Sequence, residues 1–130
     1  FDTVFDLSLD DPEIIQQAAR DKRIILTRDL GMLKDGRVTR GYFLRHDDPQ
    51  QQIREVVDRF SLSSSVRPFT RCIACNGKIH QVSRESVLDI LPEKTACAFQ
   101  EFFQCDTCGR VYWKGSHYER MLRKIKDLVP

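Results

Sequence analysis

Two cysteine pairs carry the clearest chemistry in this chain: Cys72-Ile73-Ala74-Cys75 and Cys105-Asp106-Thr107-Cys108. A Cys-x-x-Cys pair folds as a tight knuckle that aims two thiolates at one point, and two such pairs complete a tetrahedral shell around zinc. Four sulfurs leave no open position for a reacting water. The expected role of the metal is therefore structural, its binding free energy acting as folding free energy. The alternative is two unmetallated redox pairs. Residues 76 to 104 separate the pairs, a longer gap than zinc ribbons usually have, so that stretch must carry structure of its own. The fifth cysteine, Cys97, is expected to be a small buried apolar residue.

Asp11 and Asp29 form a second constellation. Asp29 follows the apolar run Ile24-Ile25-Leu26-Thr27, and ligand sites of open α/β sheets form just past the carboxyl ends of their strands. Asp11 opens the helix before that run and can lie at the same sheet edge. Two carboxylates converging there would suit magnesium or manganese, hard ions that prefer oxygen ligands. Such an ion can activate water and stabilise a leaving phosphate oxygen. The competing reading makes both aspartates helix caps, with Asp10 able to replace Asp11 in either role. Cations form a third group. Arg28, Lys34, Arg37 and Arg40 surround the acidic constellation, and Arg71, Lys78, Lys114, Arg120, Arg123 and Lys124 decorate the cysteine module. With Tyr112, Trp113 and Tyr118 they could hold a phosphate backbone and stack bases, against the alternative of a solvated charged face with Trp113 in the core. His117 and His80 lie near the cysteines, but four thiolates already close a zinc shell. His117 in the first turn of a helix could contact phosphate or pack on Trp113. No Walker loop, GxGxxG or Ser/His/Asp arrangement is present.

Local patterns say how these groups are held. Phe1 to Phe5 reads as the end of a strand. Asp10-Asp11-Pro12-Glu13 starts a helix in which Ile14, Ile15, Ala18 and Ala19 recur at helical spacing. Ile24 to Thr27 reads as a central strand buried on both faces. Strand, helix and strand in this order predict a βαβ unit with a parallel sheet. Gly41 to Leu44 is a further strand candidate, and Asp47-Asp48-Pro49 starts a helix burying Ile53, Val56, Val57 and Phe60. Ser61 to Pro68 reads as a linker. Beyond it, Ser83 caps a short helix ended by Pro92, and the second knuckle sits at the tip of a hairpin made by residues 99–104 and 110–113. Ser116-x-x-Glu119 is a capping box opening a basic helix through Lys126.

The totals exclude several classes. Hydrophobic residues make up 41% and charged residues 31%, which describes a soluble globular chain. No run approaches the ~20 apolar residues of a membrane span, and no signal peptide is expected. Cysteines in metal spacing suit a reducing compartment, hence the cytoplasm. Residues 1 to 60 hold 10 Lys and Arg against 12 Asp and Glu; residues 61 to 130 hold 11 against 7. The second half keeps a weak basic bias even with thiolates and metal counted, which permits nucleic-acid contact without requiring it.

Taken together, several stretches resemble a known family. They are Thr27-Arg28-Asp29 after the apolar run, Leu44-Arg45 with Asp48-Pro49 and Gln52, Arg71-Cys72 with Cys75-Asn76-Gly77, and Cys105-x-x-Cys108 running on through Gly109-Arg110-Val111-Tyr112-Trp113-Lys114-Gly115-Ser116-His117. The chain is similar, over almost its whole length, to the mutator-seven C-terminal ribonuclease-like family, a PIN-like nuclease fold fused to a zinc ribbon. The resemblance implies an α/β, PIN-like parallel sheet with flanking helices over residues 1–62, a linker at 63–70, and a four-cysteine zinc ribbon with a basic helix over 71–130. It implies RNA as partner, with Asp11 and Asp29 as catalytic ligands of magnesium or manganese. Arg28, Lys34, Arg37, Arg71, Lys114, His117 and Arg120 would then contact RNA. It further implies a ubiquitin-like or exonuclease domain on the same full-length chain. The family's first strand, tipped with an acid, is expected upstream of Phe1, so this chain alone is expected to be weakly active at best. The rival expectation is a non-catalytic module that binds RNA or protein through the ribbon.

Overall fold

The computed structural model describes residues 1–128 and shows a mixed α/β chain with two separate sheets. It divides into two compact units, Phe5–Leu62 and a second made of Phe1–Val4 with the residues from Ser63 onward. Val129 and Pro130, the last two residues of the expected 71–130 module, lie outside the described residues.

In the Phe5–Leu62 unit, α1 (Asp11–Arg20) is followed by β1 (Ile25–Thr27), α2 (Leu30–Leu33), β2 (Gly41–Phe43) and α3 (Pro49–Arg59). The two strands pair in parallel, Ile25 opposite Gly41 and Thr27 opposite Phe43, with α2 in the crossover. The core is small. Ile15 and Ala18 from α1 and Ile25 from β1 are buried, and Ile14, Met32, Leu33 and Val38 pack against them. Gly41 lets Leu33 and Val38 pack closely, because a Cβ there would stand 2.5 Å from Leu33 Cδ2 and 3.1 Å from Val38 Cγ1 and push those methyl groups aside.

The structure departs from several of these expectations. Residues 1–5 form no strand, and Phe1–Val4 belongs to the other unit. Ile24–Thr27 is not a strand buried on both faces: it shortens to three residues, and Leu26 is 42% exposed. Continuous apolar patterning marks burial on both faces only when both faces are covered, and here one stays open. α3 buries Val57, while Ile53 stays 45% exposed, because only one stripe of a helix can face so small a core.

The second unit is built on an antiparallel sheet of β3 (Ile79–Val82), β4 (Phe102–Cys105) and β5 (Val111–Trp113), in that order. Phe102 and Val87 are fully buried at its core, joined by Ala96. The sequence between the cysteine pairs does carry structure: β3, a 3-10 turn over Glu85–Ile90, and α4 (Glu93–Ala98). Arg84, not the expected Ser83, stands at the cap position of this turn and makes no side-chain cap there; Ser83 Oγ accepts from the Ser86 amide at 3.3 Å, and Pro92 opens α4. Cys97 on α4 is exposed, not buried; burial on that short helix goes to Ala96. The last helix, α5 (Ser116–Leu128), starts one residue earlier than a Ser116 cap would require. The Glu119 amide donates to the Gly115 carbonyl, so Ser116 occupies the first helical position and the expected capping box does not form. No helix among the described residues is long and apolar enough to cross a membrane.

A candidate metal centre and an acidic strand end

The two knuckles are built alike. The Cys72 amide donates to Gly77 O at 2.8 Å, and the Cys105 amide donates to Arg110 O at 3.0 Å. Asn76 N–H closes back on Cys72 O at 2.9 Å, and Gly109 N–H on Cys105 O at 3.0 Å. The Ala74 and Thr107 amides each donate to the first sulfur of their own knuckle at 3.4 Å. Both turns need a residue with positive φ after the second cysteine: Asn76 at 60° and Gly109 at 71°, residue types that tolerate the left-handed region. Gly77 answers a different demand. A Cβ there would lie 2.5 Å from Thr107 Oγ1 and 2.9 Å from Cys105 Sγ, so its missing side chain lets the knuckles meet.

The four sulfurs converge, all lying within 4.8 Å of one another. Cys72 and Cys108 are 3.6 Å apart and Cys75 and Cys105 are 3.5 Å apart. Sulfurs around a tetrahedral zinc with bonds of about 2.3 Å stand about 3.8 Å apart, so the spacing fits such an ion. Among the described residues this is the only cluster of three or more His, Cys, Asp or Glu side chains close enough to share a metal.

Electrostatics favour thiolates at the first cysteine of each pair. Burial raises the Cys72 thiol, but the Tyr112 hydroxyl at 2.8 Å and the Cys75 and Ala74 amides outweigh it and bring the thiol down to about 6. Cys105 is lowered first by the Cys108 amide and, against burial, by the Thr107 amide. Cys75 moves the other way: the Gly77 amide lowers it, but hydrogen bonding to the Cys105 sulfur and burial push it up to about 12. Four neighbouring sulfurs cannot all be anionic without a cation among them, and a bound ion would displace the remaining protons. Burial and the Cys72 bond raise the Tyr112 hydroxyl to about 12, so it stays protonated and donates to that sulfur.

At the carboxyl end of β1, Asp29 caps α2. Its Oδ1 accepts from the Gly31 amide at 2.6 Å and the Met32 amide at 3.3 Å. Its second carboxylate oxygen takes neither bond. Asp10, not Asp11, caps α1: its Oδ1 accepts from the Glu13 amide at 2.9 Å, and Glu13 Oε2 accepts from the Asp10 amide at 2.9 Å. The Asp11 carboxylate is thereby left exposed at the first helical position, with no hydrogen bond or ion pair among the described residues. The expected cations are distributed unevenly. Arg28 pairs with Asp47 and donates to the Leu44 and Arg45 carbonyls, tying the end of β1 to the loop before α3. Arg37 forms a two-bond pair with Asp35, whose carboxyl it holds at about 2. Lys34 follows α2 directly. In the other unit, Arg71 donates to Asn76 O and pairs with Asp2, Lys114 pairs with Glu101, and Arg120 is exposed on α5.

Two arrangements were not expected from the sequence. Glu55 on α3 accepts from Tyr42 Oη at 3.0 Å and the Arg45 amide at 3.1 Å, with His46 Nδ1 at 2.8 Å. A lone Glu within a helix gives no signal of such a role. His80 and Asp106 also pair, at 2.6 Å, beside the second knuckle; their proximity could have been guessed only with the register of β3 in hand.

A mixed α/β chain with four converging cysteines suited to a metal is thus on view, with an acid at the end of a parallel strand. The chain belongs to the Mut7-C RNAse domain family, whose model matches residues 1–125. No curated protein and no solved structure matches it.

Proposed function

We propose that the chain is the metal-dependent ribonuclease-type domain its family membership suggests, hydrolysing RNA phosphodiesters, with Asp29 and Asp11 holding the catalytic ion. The observation that carries this reading is the division of labour at the start of α1. Asp10 makes the whole capping box, which leaves the Asp11 carboxylate uncommitted. Asp29 commits one oxygen to α2 and keeps the other for a ligand. Magnesium is often held by one or two carboxylates and several waters, so two such acids suit it or manganese. The ion would supply a metal-activated water and charge neutralisation at the leaving oxygen. Arg28, bound to Asp47, leaves Asp29 without a paired cation.

The parallel β1–β2 pair with flanking helices supports a PIN-like reading of the first unit, and the paired knuckles support a zinc ribbon in the second. Zinc fits better than a redox role, because all four sulfurs converge on one point and the contacts at 3.5 and 3.6 Å run between the pairs. We place the domain in the cytoplasm, where thiolates stay reduced.

The test is cleavage of single-stranded RNA with Mn²⁺ by the wild type and by Asp29→Asn. Asparagine caps a helix about as well as aspartate, so the substitution removes charge while preserving the cap. Losing a direct ligand should cost more than the roughly 10- to 100-fold typical of outer-shell partners. Unchanged turnover in Asp29→Asn would remove these acids from the mechanism, and RNA binding with no turnover by the wild type would favour a non-catalytic RNA-binding module.

A further inference from the structure

The second unit contains a cavity of about 480 Å³ that borders the cysteine centre, with Tyr112 and Ile73 among its lining residues. This is the size of a ligand site. Its walls come from Phe69, from Ile79, Phe103 and Trp113 on the three strands, and from Tyr118 and Met121 on α5. Phe69 and Tyr118 lie ring against ring with centroids 4.1 Å apart and planes inclined by 34°. Phe69 is held at φ 59°, a region that bulky side chains rarely enter. Such outliers persist only where the surroundings over-determine them, and they concentrate at ligand sites.

The polar lining is one-sided. Arg71, Lys114 and His117 contribute to the wall and no carboxylate does. Glu101 and Asp2, which pair with Lys114 and Arg71, are not among the lining residues. Gly115 to Tyr118 also border the space, and Gly115, directly before α5, has no side chain to cap the first amides. Flat apolar walls under a cationic rim match a ligand with an aromatic face and an anionic link. An apolar peptide would use the walls but not the rim; a bare phosphate would use the rim but not the walls. A base in a duplex could not enter, because its faces are already stacked.

We propose that this cavity receives an unpaired nucleobase of single-stranded RNA, stacked on the Phe69–Tyr118 platform, with its phosphate at Lys114 and His117. The inference rests on the nuclease reading for the identity of the polymer, and it assigns the second unit the task of selecting unpaired strands. Tyr118 is a binding residue here, remote in role from the acids.

The experiment is fluorescence anisotropy with the zinc-loaded full chain and a labelled, unstructured single-stranded RNA of about ten nucleotides. A blunt RNA duplex of equal length serves as comparison. No Mn²⁺ or Mg²⁺ is added, so cleavage does not enter. Stacking on one aromatic ring is worth roughly 5- to 150-fold in affinity, so Tyr118→Ala should weaken binding within that range, while Tyr118→Phe stays within about twofold. Tyr118→Leu keeps apolar volume without a π face and should behave like alanine; it carries the test if alanine disturbs the fold, as judged by zinc content and near-ultraviolet dichroism. Lys114→Gln should reduce the salt slope by about one. Trp113, the single tryptophan, should be quenched by single-stranded RNA. Equal affinity for duplex, or unchanged binding in both Tyr118→Ala and Tyr118→Leu, overturns the proposal. Those results leave the nuclease reading intact if Asp29→Asn still abolishes Mn²⁺-dependent cleavage. Absence of cleavage by the wild type, with the binding pattern as expected, overturns the nuclease reading alone.

Discussion

Adjacent aspartates show how position divides function. Asp10→Ala should cost about 1 kcal/mol of stability, read from the denaturation midpoint, because it removes the acceptor of the Glu13 amide. Asp11→Ala should leave stability within about 0.5 kcal/mol, since that carboxylate supports nothing in the fold, yet it should lower Mn²⁺-dependent turnover. Tyr112→Phe tests the surroundings of the cysteine centre. Removing the hydroxyl that donates to the Cys72 sulfur should weaken zinc affinity by roughly 10- to 100-fold, measured by chelator competition. Residue types alone mark both Asp10 and Asp11 as cap candidates. Which of two neighbouring acids caps the helix depends on where the first helical turn begins, and the sequence leaves that open by one position.

At the scale of elements, loops and helix starts hold more than their apolar content suggests. Glu55 ties α3 to β2 and to the loop between them. Hydrogen bonding from His46, against the effect of burial, and the Arg45, Tyr42 and His46 groups hold its carboxyl at about 2, below its ordinary 4.5. A folded-state value below the unfolded one contributes stability that is complete above the unfolded value and is lost as the pH falls from about 4.5 through about 2. Denaturation midpoints measured across that window should fall more steeply for the wild type than for Glu55→Gln. The knuckle glycine is equally constrained. Gly77→Ala puts a methyl group 2.9 Å from Cys105 Sγ and should cost roughly 1–3 kcal/mol together with weaker zinc binding. Alternation and turn residues in the sequence indicate the hairpin of β4 and β5, but not β3. The polar residues His80 and Gln81 interrupt β3, and it is recognisable only by its pairing with β4.

For the whole molecule, metal binding and folding should be one equilibrium in the second unit. Its compact centre is little more than Val87, Ala96, Phe102 and the two buried cysteines, too few groups to offset the ordering of so many residues. Chelation should therefore abolish the near-ultraviolet signal of Trp113, and one equivalent of zinc should restore it; persistence of that signal without metal would show that the ion is dispensable.

The chain's residue types and spacing were enough to specify the four converging cysteines, the basic last helix, the hairpin and the existence of a parallel α/β layer. Each of these is a local pattern, repeated at short range and enforced by backbone geometry. Folding alone decided that Asp10 takes the cap and frees Asp11, that Arg28 and Arg37 are held by internal acids, and that Phe69 meets Tyr118 beside a cationic rim. Those outcomes depend on which distant side chains reach a shared point in space, a matter of packing and pairing across each unit rather than of any one stretch of sequence.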